Sequence, residues 1–268
     1  IYGIRPVIEA VKSGKEIDKI LIQKGLRGES FPDLMAELKA RSIPYQFVPY
    51  EKLKRVTRKN HQGVIAYVAP VHFAKVEDVL PGIFEAGRTP FLVIMDRITD
   101  VRNFGAILRT AEGAGVDAVV IPSRNSAQLN AGTVKSSAGA IFNIPICRSL
   151  NLGETIDYLK SSGLRIISAS EKTDKDLYAA DFSGPLAIIM GSEGEGVSQA
   201  YLDLSDELVK IPMKGEIASL NVSVATAIIL AEARRQREQA GLYDRCRLDD
   251  EHYRQLLFRW AHPRISRF

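Results

Sequence analysis

The chain has 268 residues, 46% of them hydrophobic, with two cysteines, four histidines and a net charge of +4. That is enough to bury one large core or two modest ones, and too few thiols for a disulfide framework. There is no apolar run long enough to span a bilayer and no metal-ligand spacing among Cys147, Cys246, His61, His72, His252 and His262; together with an opening Ile-Tyr-Gly-Ile-Arg-Pro that lacks the apolar stretch of a signal peptide, this leads to the expectation of a protein of the reducing cytoplasm, without structural zinc.

Residues 1–70 carry 13 Lys/Arg against 7 Asp/Glu, and the remainder 23 against 25. The excess in the N-terminal quarter fits a nucleic-acid contact, and solvated lysines on helix faces would leave the same count. Periodicity predicts a helix over Pro6–Lys12, a strand over Ile17–Gln23, and a helix over Phe31–Arg41 with Leu34, Met35 and Leu38 inward. Strands at Tyr45–Val48 and Val64–Val68 complete a small α/β unit. Between them lies the densest basic run, Lys52–Lys59, followed by Asn60-His61-Gln62-Gly63. Such a run beside a polar turn suits phosphate and ribose contact, with His61 a structural or RNA-contacting residue rather than a catalyst. Residues 71–90, broken by Pro81, Gly87 and Pro90, read as a linker with a helix near Val76–Phe84.

A second α/β domain is expected over 91–241. Phe91–Met95 is a buried strand with Asp96 at its carboxyl end, where ligands of open α/β sheets bind. Asn103 is placed to cap the next helix, which buries Ile107 and Leu108 and carries Arg109. Further strands are predicted at Ala118–Ile121, Phe142–Ile146, Arg165–Ser170 and Pro185–Met190, with a helix at Glu154–Ser161 and a small polar stretch over Ser126–Gly139. The strand ending at Met190 runs into Gly-Ser-Glu-Gly-Glu-Gly, 191–196. This is neither the dinucleotide fingerprint nor a P-loop. Its glycines let a ligand approach the backbone, and its two carboxylates repel phosphate and suit a cationic or hydroxyl-bearing ligand. Last comes Ile211–Glu232, a strand end, a Gly215 loop and a long apolar helix predicted to be buried. Ser219, Asn221 and Ser223 cluster at its start, where one capping residue would suffice.

Three stretches, Asn-Phe-Gly-Ala-Ile-Leu-Arg at 103–109, Ile-Met-Gly-Ser-Glu-Gly-Glu-Gly at 189–196, and Ile-Pro-Met-Lys-Gly-Glu-Ile-Ala-Ser-Leu-Asn-Val-Ser-Val-Ala at 211–225, closely resemble the three motifs of the SpoU/TrmH family of RNA ribose 2′-O-methyltransferases, within the SPOUT superfamily. Residues 1–70, with Asn-His-Gln-Gly-Val at 60–64, resemble the ribosomal-protein-like RNA-binding domain of the 23S rRNA guanosine enzymes. The resemblance implies a parallel-sheet domain with a C-terminal trefoil knot, working as a homodimer. It implies S-adenosylmethionine held by backbone groups at Gly191, Ile211 and Leu220, with Met190 and Gly196 beside them. Arg109 matches the family's catalytic arginine, and a guanidinium is better suited to gripping a phosphate and stabilising an alkoxide than to accepting a proton. Glu193, a phosphate or water would take the proton, while Asn103, Ser219 and Asn221 orient the ribose. The alternatives are tRNA as substrate, or an RNA-binding protein without catalysis. Residues 242–268, with Tyr253, Phe258, Trp260 and Phe268 among six arginines, lie outside the expected family core; they suit either a packing helix or stacking on unpaired bases.

Overall fold

A computed structural model describes residues 1–215 and 219–243. The aromatic and arginine-rich stretch that follows, with Cys246, His252 and His262, lies outside the described residues.

The N-terminal unit runs α1 (Ile4–Lys12), β1 (Ile17–Gln23), α2 (Ser30–Ala40), β2 (Tyr45–Val48), α3 (Tyr50–Val56) and β3 (Val64–Val68). Pro6 and Pro32 fall in the first turns of α1 and α2, where no backbone N–H has an intrahelical partner to lose. The three strands are ordered β2-β1-β3, with β1 parallel to β2 and antiparallel to β3. The apolar stripes of α1 and α2, including Val7, Val11, Leu34 and Leu38, bury against Ile20 and Ile22. Leu53 of α3 packs on the opposite face with Leu21, Val48 and Ile65.

Residues 71–90, expected as a linker, instead belong to the second unit's sheet. They form the edge strand β4 (Phe73–Ala74) and α4 (Val76–Glu85), whose Val76, Leu80 and Ile83 are buried in its core. The chain continues through β5 (Phe91–Met95), α5 (Val101–Ala114), β6 (Ala118–Pro122), α6 (Ala131–Ser136), β7 (Ile146–Ser149), α7 (Leu152–Ser161), β8 (Arg165–Ala169), β9 (Leu186–Met190), α8 (Gln199–Leu204), β10 (Glu207–Val209) and α9 (Val222–Gln239). The strand expected at Phe142–Ile146 is displaced: Ala140–Phe142 is a 3-10 turn and the strand starts at Ile146. The small polar stretch before it yields α6, started by a capping box in which Asn130 and Thr133 exchange side-chain and backbone bonds.

The seven strands are all parallel, in the order β10-β8-β9-β5-β6-β7-β4. Every residue of β5 and β9 is buried, as their unbroken apolar runs require when helices cover both faces. α5 and α9 pack one face through Phe104, Ile107, Leu108, Ile229 and Leu230, while α4, α7 and α8 cover the other. From β5 the chain first builds outward through β6 and β7, then returns to build β8, β9 and β10 on the other side. The order therefore reverses between β5 and β9, and the crevice at their carboxyl ends is where such a sheet takes ligands. α9 is not buried all round as expected: Val224 and Ala231 face solvent, because only the side turned to α5 and the sheet is covered.

Candidate active site

β9 delivers the glycine turn to that crevice. Ser192 and Gly196 exchange backbone hydrogen bonds, N–H to O at 3.1 and 2.9 Å, pinching the loop shut. The pinch lays Gly196 against Gly191 so closely that a Cβ on Gly191 would sit 2.0 Å from the Gly196 carbonyl carbon. Only glycine fits there. From β5, Asp96 is buried and accepts from the Ser198 N–H (2.7 Å) and hydroxyl (2.6 Å). Its neighbour Arg97, in a left-handed conformation (φ 56°), donates to Asp96, to the Gly196 carbonyl (3.2 Å) and to Glu195. Burial works against the Arg97 charge, and the Asp96 and Glu195 carboxylates outweigh it, holding its pKa above the ordinary value. Two consecutive residues of one strand end thus brace the whole turn of its neighbour.

α5 is capped by Asp100, which accepts from the N–H groups of Arg102 and Asn103 at 2.8 Å. Asn103 is therefore not the cap the sequence suggested. As the helix's third residue it has a free side chain, and its amide donates to Glu193 Oε2 (3.1 Å). Asn221 caps α9 through Oδ1, which takes the Ser223 N–H and hydroxyl. Its amide nitrogen donates to Asn103 Oδ1 (3.1 Å) and Glu193 Oε1 (2.9 Å). Three side chains, from positions 103, 193 and 221, close a triangle in which both carboxylate oxygens hold an amide donor. An ionised carboxylate only accepts, so such charged bonds fix its orientation strongly. Of the three polar residues at the start of α9, Ser223 is used by the cap, Asn221 joins the triangle and Ser219 faces the adjoining cavity.

That cavity has a volume of about 380 Å³, within the range of small-molecule sites. Met190, Gly191 and Gly196 line it from the glycine turn, and Ile211, Leu220 and Ile229 from the returning chain, with Glu193 among its polar groups. Its two lysines, Lys172 and Lys210, bond to Gln199 and Asp174. Accessible glycine backbone, apolar walls and nearby carboxylates fit an apolar ring system bearing positive charge. Arg109 stands apart. It is exposed and makes no hydrogen bond or ion pair among the described residues. Six residues beyond Asn103, it lies about 9 Å along α5 and about 120° around it, off the side of the helix that meets the triangle.

Gly105, within the first motif, has a packing role: a Cβ there would lie 1.9 Å from Ser136 Oγ and 2.8 Å from the Ser137 backbone nitrogen, so α6 can approach α5 this closely at that point only because the residue is glycine. A larger cavity, about 700 Å³, lies between the two units near β4 and β7, with mixed charges that include Lys15, Glu16, Arg41 and Asp78. None of the residues singled out in the sequence as catalytic or cofactor-binding lines it. In the N-terminal unit, His61 is buried, its Nδ1 accepting the Gly63 N–H (3.0 Å), and Gln62 Oε1 takes the Ile4 N–H at the start of α1. Arg97 and Ser198 escaped sequence reading. An Asp-Arg pair ending a buried strand was their only signal, and the left-handed turn that aims Arg97 has no sequence mark.

Residues 90–231 match the SpoU rRNA methylase family, residues 1–74 match RNA 2′-O ribose methyltransferase substrate binding, and residues 235–268 match the SpoU rRNA methylase C-terminal family. The last match brings within the family the stretch expected to lie outside its core. A putative TrmH family tRNA/rRNA methyltransferase of Staphylococcus haemolyticus is 40% identical over 90% of this chain and 97% of its own. The SpoU methyltransferase AviRb of Streptomyces viridochromogenes, solved in complex with the cofactor AdoMet, superposes with a TM-score of 0.57 at 27% identity, covering 89% of this chain and 90% of its own. The TrmH/SpoU tRNA modifying enzyme of A. aeolicus gives a TM-score of 0.55 at 30% identity, covering 70% of this chain and 97% of its own.

Proposed function

The chain belongs to the SpoU rRNA methylase family of RNA methyltransferases, and from that membership we propose that it transfers a methyl group from S-adenosylmethionine to a ribose 2′-hydroxyl of RNA, a guanosine of 23S rRNA being the first choice. The observation that carries this is the meeting of Asn103, Glu193 and Asn221 beside a glycine-walled cavity at the sheet's switch point.

The cavity suits the cofactor: Gly191 lets the Gly196 backbone pack directly on it and so fixes the shape of the turn that walls the cavity, and among the described residues its two lysines, Lys172 and Lys210, are already engaged by Gln199 and Asp174. Backbone groups at Gly191, Ile211 and Leu220 would hold it, with Met190 and Gly196 alongside. When bound, it supplies a methyl group made electrophilic by the adjoining sulfonium. Glu193 takes the hydroxyl proton, its carboxylate aimed by the Asn103 and Asn221 amides. Ser219 hydrogen-bonds the ribose. Arg109 grips the neighbouring phosphate and offsets charge developing on the oxygen. Since helical geometry turns it away from the triangle of its own subunit, it serves the site of the second subunit in a homodimer. The chain's return from the edge strand β10, past the glycine turn, to α9 on α5 supports the trefoil knot.

The match of residues 1–74 to a substrate-binding domain, and the tRNA enzyme's coverage of only 70% of this chain, favour rRNA over tRNA. Transfer of labelled methyl to purified rRNA and tRNA tests the choice. Label in rRNA is expected, and label in tRNA alone overturns it.

A further inference from the structure

Lys52, Lys54, Arg55, Arg58 and Lys59 place five cations within eight residues, all exposed. None forms an ion pair among the described residues, whereas Lys12 and Arg41 of the same unit both engage Glu37. Free cations in such density form an electrostatic track for a polyanion.

Two aromatic rings stand open beside this track. Tyr50, at the start of α3, is 47% exposed, and its ring is backed by that of His61 at 5.4 Å between centroids. His61 is itself fixed by the Gly63 N–H, so the backing is rigid. Tyr2 is 38% exposed, is tied to β3 through its bridge to Ile65, and has the Lys59 ammonium 5.9 Å from its ring centre. Asn60 joins the two places in the chain. It is exposed, and its side chain makes no hydrogen bond among the described residues. A hydrophobic core has no use for rings held outward in this way. Rings with open faces, flanked by cations and a free amide, make a platform on which bases stack while phosphates follow the charges.

We propose that this face of the N-terminal unit binds unpaired nucleotides, with one base stacked on Tyr50, its neighbour near Tyr2, and the phosphates along Arg55, Arg58 and Lys59. The proposal rests on RNA being the substrate and adds its form: a loop or bulge rather than a duplex. A-form duplex offers phosphates and 2′-hydroxyls to a protein but no base face to a ring.

The test measures binding by the full chain of a hairpin RNA with an unpaired loop and of a blunt duplex of equal length, by fluorescence anisotropy across a salt series. Tyr50→Leu, which keeps apolar bulk without a ring face, is expected to weaken loop binding about tenfold, the scale of one lost stack, and to leave duplex binding unchanged. Tyr50→Phe keeps the ring and restores loop binding. Arg55→Gln with Arg58→Gln weakens both RNAs and lowers the salt slope by about 1.4 for the loop, two phosphate contacts on a single strand. Equal losses for loop and duplex in Tyr50→Leu, or none in either, overturn the stacking role. If Tyr50→Leu does not fold, failure of Tyr50→Phe to match the parent chain on the loop does so instead. Titration with S-adenosylmethinonine separates the two levels: a chain that binds cofactor but shows no loop preference loses this proposal alone, and one that prefers loops but takes no cofactor loses the methyltransferase assignment alone.

Discussion

Glu193 carries two amide bonds that aim its carboxylate, one from each of two helices. Removing one hydrogen bond to a charged group costs about 1.5–3 kcal/mol, so Asn103→Ala is expected to slow single-turnover methyl transfer about 10- to 100-fold, with cofactor affinity unchanged by calorimetry. An unchanged rate would show that Glu193 does not depend on this contact. Gly191→Ala tests the proposed cofactor wall. Its Cβ would arrive 2.0 Å from the Gly196 carbonyl carbon, forcing backbone rather than a flexible side chain to move. Overpacking of this kind costs about 1–3 kcal/mol. Cofactor binding should be lost and the melting temperature lowered; parent-like affinity in the variant would place the cofactor elsewhere.

At the scale of elements, the end of β5 governs the turn after β9. Arg97→Met removes the links to Glu195 and Gly196 while Asp96 keeps its bonds to Ser198. The expected outcome is a cofactor affinity weakened about tenfold, mostly from the charged hydrogen bond to Gly196, since the exposed Glu195 adds little, and circular dichroism that still reports a folded chain. An affinity equal to the parent's would mean the turn holds itself. The strands that carry the site were legible because full burial writes unbroken apolar runs, as at 91–95 and 186–190. The glycine turn and the start of α9 were legible as well, since close approach and capping each demand particular residues. What sequence could not supply was which side chain does what at a helix start: Asp100 took the cap at α5 and freed Asn103. The helix expected at Val76–Phe84 is there as α4, but Pro81, Gly87 and Pro90 did not reveal that the segment also adds a strand to the larger sheet, because a two-residue edge strand has no period to read.

The whole molecule is two units joined in part by a buried ion pair. Arg148 of β7 donates to Asp18 Oδ1 (2.9 Å) and the Ile17 carbonyl (3.0 Å) across the junction, its guanidinium 3.3 Å from the centre of the Phe73 ring. Burial drives the Asp18 carboxyl above its ordinary value against the pull of Arg148 and Lys19, and pushes Arg148 down to about 10. Both directions say that desolvation outweighs attraction. A raised carboxyl contributes stability that is complete below its unfolded pKa of 3.8 and is lost as pH rises through the folded value. Asp18→Asn has no such titration, so the parent chain should lose stability relative to it across that window. Melting temperatures from pH 3 to 7 check the sign. A variant destabilised by about 3–5 kcal/mol at neutral pH would show that attraction dominates.

The proposed homodimer with shared sites makes a further demand. Arg109→Ala and Glu193→Ala subunits, each inactive alone, should regain activity when mixed and refolded together, since one mixed site receives both residues. Activity absent from every mixture would return Arg109 to its own subunit.

The central assignment is tested most directly by single-turnover reaction of the chain with labelled S-adenosylmethionine and large-subunit rRNA, the product nucleoside being identified by mass spectrometry. A 2′-O-methyl ribose is expected from the parent chain, with transfer reduced at least about 100-fold in Glu193→Gln while that variant still titrates with cofactor. A methyl group on a base, or undiminished transfer by Glu193→Gln, would contradict the account.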